Sequence, residues 1–155
     1  MPGSKSVLAT AVLLLATAAA AVPLPAWTAE PACVPQLRAG WVRLLPTRMP
    51  MLAGYGRIDN DCARAATLIA ANSPAFGSVE LHESRLVDGV SRMRAVPQLR
   101  IPPRGRAQLQ PGGLHLMLVQ PAQPLQAGDR VEVAFTLADG RTVLGMFEVR
   151  EAEVR

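Results

Sequence analysis

Lysine is nearly absent from this 155-residue chain: Lys5 is the only one, and the rest of the 16 basic residues are arginine. Aromatic residues make up 4%, and histidine and cysteine occur twice each. Each scarcity excludes something. Two histidines, with no Gly-x-Ser-x-Gly elbow, phosphate loop or H-E-x-x-H helix, leave the familiar catalytic constellations unfilled, so the chain is not expected to be an enzyme. The arginines are scattered from Arg38 to Arg155 with acids between them. A pI near 10 therefore comes without a basic run or aromatic interleaving, and nucleic acid is excluded as a partner. Cys33 and Cys62 are not in C-x-x-C spacing, which argues against a redox or metal-ligand pair. No stretch keeps a 3.6-residue apolar period over three turns, so helices are not expected.

What is present begins with a leader. Lys5 precedes the apolar run Val7 to Leu15 and the small residues Ala16 to Ala21. This is the order of a secretory signal peptide, expected over residues 1–29 with cleavage between Ala20 and Ala29. The run breaks at Pro23 and Pro25 and is short of the roughly 20 apolar residues of a membrane span, so the mature chain should have no stable span. Nineteen of the first 29 residues are apolar, which accounts for much of the mean hydropathy of +0.20. Removing Lys5 from a formal charge of +4 leaves about +3. Glu30, where a lipoprotein signal needs an aliphatic residue, speaks against a lipid anchor on Cys33. Outside the cytoplasm the two cysteines favour a disulfide, which in the chain-entropy picture is worth roughly 3–4 kcal/mol for a loop of about 30 residues.

Residues 30–155 read as one all-β domain. Short runs lie between turn signals: 40–45, 52–58, 65–70, 78–84, 90–96, 106–110, 114–120, 129–137 and 142–150. Asp88-Gly89 and Asp139-Gly140 mark hairpins. Pro102-Pro103 falls in a loop, and Trp41 reads as a core residue. Strands at this spacing predict a β-sandwich or barrel.

The histidines and methionines carry the chemistry. His82 ends the run Val79-Glu80-Leu81-His82, and Met93 lies across the Asp88-Gly89 turn. His115 and Met117 are two apart and share one strand face, while Leu116 and Leu118 take the other. Thioether sulfur is soft and neutral and favours Cu(I). Imidazole suits copper too, and an all-neutral donor set disfavours Mg²⁺ and Ca²⁺. Imidazole binds metal only when neutral, so affinity should fall below about pH 6.5. Glu80 shares the face of His82 and either orients it or is plainly solvent-exposed; Arg92 and Arg94 flank Met93, where they either steer an acidic partner or are simply solvated. Met49 and Met51 fall in a proline-bounded loop, where they either line the rim of the site or, the simpler expectation, pack within the loop.

The full spacing is H-x10-M-x21-H-x-M, through His82, Met93, His115 and Met117. It resembles the periplasmic copper chaperone family PCu(A)C. Val79-Glu80-Leu81-His82-Glu83, Asp88-Gly89-Val90, Arg92-Met93-Arg94 and Pro111-Gly112-Gly113-Leu114-His115-Leu116-Met117-Leu118 look like that family's segments, as do Gly40-Trp41-Val42-Arg43 and Asn60. The resemblance covers roughly residues 38–150. It implies a cupredoxin-like Greek-key β-barrel that binds Cu(I) through His82, Met93, His115 and Met117. It further implies a periplasmic role in delivering copper toward the CuA centre of cytochrome c oxidase, with a Sco-like thioredoxin-fold protein or the CuA subunit as partner. Two departures stand out. The chain ends without the His- and Met-rich tail of some members, and Glu83 stands where some have methionine after the first ligand. The competing reading is an exported β-sandwich that binds a protein and no metal.

Overall fold

The computed structural model describes residues 32–152. The leader expected over 1–29, with its cleavage site, lies outside them. Ten strands occur among the described residues: β1 Gln36–Leu44, β2 Met51–Asn60, β3 Ala66–Asn72, β4 Phe76–Val87, β5 Val90–Ala95, β6 Leu99–Ile101, β7 Gly105–Leu109, β8 Leu114–Pro121, β9 Arg130–Leu137 and β10 Thr142–Glu151. No helix interrupts them.

The strand order β5-β4-β8-β7-β2-β1-β10-β9-β3-β6 closes on itself through β4–β3, and β8 also pairs with β2. The result is a barrel with two parallel contacts, β1 along β10 and a single register pair between β7 and β8, among otherwise antiparallel neighbours. Closure leaves β5 and β6 as the strands with a single paired neighbour. The β3–β4 seam is thin, with Ala71 opposite Val79 its one register pair. Beyond it the two strands part: β4 continues against β5, and β3 against β6. The three-residue β6 is absent from the sequence reading because Pro97 and Pro102 bound a segment too short to show alternation.

Alternation explains the core. Along β10, every second residue from Val143 to Val149 points inward, and β9 does the same from Val131 to Leu137. Aliphatic side chains and the Phe135–Phe147 pair fill the interior. Asn60, the most deeply buried of the polar residues, is fully satisfied, its Oδ1 accepting from the Cys62 amide. Its Nδ2 donates toward the carbonyls of Arg64 (2.9 Å), Pro102 (3.0 Å) and Ile101 (3.3 Å), tying the end of β2 to two loops. Beside it Cys33 and Cys62 are joined in a disulfide that pins the segment entering β1.

One assignment is corrected. Trp41 is not a core residue: Val42 takes the inward position, fully buried, and Trp41 lies half-buried on the outer face. There it packs on Tyr55 at 4.7 Å between ring centroids, with the Arg43 guanidinium over both rings.

Candidate metal centre

Three neighbouring strands, β5, β4 and β8, carry the four residues singled out by the spacing. In β8, Leu116 and Leu118 are fully buried in the barrel, so His115 and Met117 face outward. Register then does the rest. His82 lies directly opposite His115, and Glu80 opposite Met117, so all four share the outer face. The imidazole centroids are 6.2 Å apart. Across the hairpin, His82 faces Ala95 and Ser84 faces Met93. Met93 is therefore the diagonal neighbour of His82 on the same face, within reach of a long side chain. Asp88 and Gly89 both take positive φ, 52° and 78°, the turn conformation that matches strand twist and fixes this register.

Hydrogen bonds orient both rings. His115 Nδ1 lies 2.9 Å from the Gly113 carbonyl, an acceptor, so Nδ1 carries the proton and Nε2 holds the lone pair. His82 is set the other way. Its Nε2 lies 2.9 Å from Glu80 Oε2, so Nε2–H donates to the carboxylate and Nδ1 holds the lone pair. That Nδ1 is buried without a hydrogen-bond partner. A buried unsatisfied acceptor costs about 1–3 kcal/mol, and a metal ion would satisfy it. Of the two roles open to Glu80 from sequence, orientation of His82 is the one its side chain takes.

The surroundings divide into a covered and an open side. His115 is only 5% exposed, beneath Tyr55 at 6.4 Å between centroids. Burial raises the Tyr55 pKa, against a smaller opposing pull from Arg43. Met93, by contrast, is 53% exposed on a strand whose residues are all exposed. Glu83 points away from the donors and bridges Arg94 (2.6 Å) and Arg85 (2.9 Å). Hydrogen bonds from Arg85 and then Arg94 hold its carboxyl below the usual range. Arg94 is thus tied down within its own hairpin.

Among the described residues no group of three or more His, Cys, Asp or Glu could hold a metal ion. The other donors on this face are methionine sulfurs, which suit a soft ion. Sequence reasoning missed how the methionines are placed. Met49 and Met51 are 43% and 44% exposed, and Met51 is the first residue of β2 rather than part of the loop.

Comparison with known proteins agrees with the geometry. Residues 36–149 match the family described as putative lipoprotein LpqE-like. The putative lipoprotein Lxx21020 of Leifsonia xyli subsp. xyli is 34% identical over 136 residues, 85% of this chain and 81% of that protein. Among solved structures, the Cu(I) form of DR1885 from Deinococcus radiodurans is 30% identical, covering 80% of this chain and 81% of that one, with a TM-score of 0.60. A copper-bound PCuAC domain from PmoF2 shares the fold at 21% identity, covering 76% of this chain and 93% of that domain, with a TM-score of 0.62. The PCu(A)C resemblance seen in the sequence thus extends to the architecture, a cupredoxin-like β-barrel.

Proposed function

We propose that this chain, which belongs to the LpqE-like family, carries Cu(I) outside the cytoplasm on a centre made by His82, Met93, His115 and Met117. One observation carries the reading: two opposed imidazoles have their N–H groups tied back, by Glu80 and by the Gly113 carbonyl, leaving His82 Nδ1 and His115 Nε2 as free donors beside two thioethers. Such a set binds a soft monovalent ion and has little to offer a hard divalent one. The similarity to DR1885, whose Cu(I) form is known, supports the same cargo. A metal-free protein-binding domain leaves the orphaned Nδ1 without a purpose.

The centre transports and does not transform. Cu(I) is closed-shell and tolerates low coordination, so an incoming ligand can enter before an old one leaves. His115 is the covered, anchoring side, and Met93 the open side where a partner's ligand arrives. We assign delivery toward the CuA centre of cytochrome c oxidase, in the periplasm, with a Sco-like protein or the CuA subunit receiving the ion. Cys33 is committed to the disulfide, so its sulfur is not available for a lipid thioether.

Titration against a Cu(I)-competing chelator tests the centre. His115→Ala and Met117→Ala should each weaken Cu(I) binding strongly while the fold persists. Wild-type affinity in both would end the proposal.

A further inference from the structure

Every methionine among the described residues is at the surface. Met49, Met51, Met93 and Met146 are all more than two-fifths exposed, and Met117 is half-buried. Methionine ordinarily fills irregular gaps in cores, yet this core is built from Val, Leu, Ile, Ala and Phe. Two of these thioethers belong to the centre described above. Met51 is the one whose strand register brings it beside Met117.

Strand β2 runs along the other flank of β8. Leu52 faces Leu118, Ala53 faces Met117 and Met51 faces Val119. Leu52 and Leu118 are buried, so Met51, Ala53 and Met117 lie on the outer face with the histidines. Met51 is the diagonal neighbour of Met117, a relation that puts the backbones about 7–8 Å apart and within reach of long side chains. Ala53, directly beside Met117, contributes only a methyl group, and Val119, directly beside Met51, is the other small neighbour on this face. The start of β2 is held in place, since the Pro50 carbonyl accepts the Gln120 amide at 2.6 Å. Met51 thus presents a mobile thioether from a fixed backbone, on the side of Met117 away from His82.

We propose that Met51 and Met117 form a second, thioether-only Cu(I) position, through which the ion enters or leaves the four-residue centre. The inference rests on the Cu(I) reading above and adds a site to it. The step is a ligand exchange with no change of oxidation state. Cu(I) keeps its bond to Met117 Sδ, breaks its bonds to the two imidazole nitrogens and to Met93 Sδ, and forms one to Met51 Sδ. Each released donor regains its own lone pair, and a ligand from the partner completes the coordination. Met117 is the shared hinge, and the partner approaches over β2 as well as over the β4–β5 hairpin.

Methionine-methyl NMR on the full mature chain, titrated with Ag(I) as a redox-inert probe, reads this directly. The Met51 methyl should shift with those of Met93 and Met117, while Met146 stays still. In parallel, Met51→Leu should slow Cu(I) transfer to bathocuproine disulfonate several-fold. Shifts at Met93 and Met117 with Met51 as still as Met146 would overturn the second position and leave the main centre standing. So would an unchanged transfer rate in Met51→Leu. No shift at any methionine would remove the Cu(I) reading itself, and the second position with it.

Discussion

The two faces of β8 are built from alternating residues of one short segment, yet they are different materials. Inward, Leu116 and Leu118 have no solvent exposure and pack into an aliphatic core. Outward, His115 and Met117 carry nitrogen and sulfur donors, and one ring is locked by a carbonyl of its own chain. Because strand periodicity is two, a rigid core face and a reactive face can sit back to back with no loop involved. The core face holds the donor face still, and donor spacing is therefore set by sheet register rather than by flexible segments.

If the faces are independent, substitutions on them should fail differently. Leu116→Ala should cost about 2–5 kcal/mol in denaturant unfolding, because the closed barrel cannot collapse around the void. Its folded fraction should still bind Cu(I). On the other face, His115→Ala should weaken Cu(I) binding by about 100-fold or more, about 2.8 kcal/mol, since losing even a group that only orients a ligand costs about 10–100-fold. Unfolding of that variant should change far less than that of Leu116→Ala. Equal destabilisation by the two would break the comparison.

Glu80 refines it. Glu80→Ala should lower Cu(I) affinity about tenfold, the low end for an orienting partner, by freeing His82 to turn. Glu80→Gln still accepts from Nε2–H and should recover most of the loss. If both variants behave like wild type, His82 is oriented by something else. The smallest effect belongs to Glu83, on the far side of the hairpin. Its folded pKa is depressed by Arg85 and Arg94, so its contribution is present above the ordinary glutamate range and is lost as pH falls through the lowered folded value. Both arginines are solvent-exposed, so the contribution is slight. Amide exchange in β5 should quicken over that acidic interval in wild type and be insensitive to it in Glu83→Gln.

Much of this was legible in the sequence. The strand runs, the Asp88-Gly89 turn and the opposite faces of Leu116 and Met117 follow from period-two alternation and turn chemistry. Features set by neighbours in space were not. Trp41 is large and apolar, and only the placement of Val42 shows that it belongs outside, packed on Tyr55 with Arg43 over both rings. Met51 reads as loop because Pro50 precedes it, yet its pairing with Val119 makes it strand. The choice of Nδ1 on His82 and Nε2 on His115 depends on two hydrogen bonds that residue spacing does not encode.

X-ray absorption of the Cu(I)-loaded chain, prepared without oxygen, tests the centre most directly. Nitrogen and sulfur scatterers together around Cu(I), with the sulfur contribution reduced in Met117→Ala, are the predicted result. A shell of nitrogen and oxygen alone, or one unchanged by Met117→Ala, would contradict a centre shared between His82, Met93, His115 and Met117.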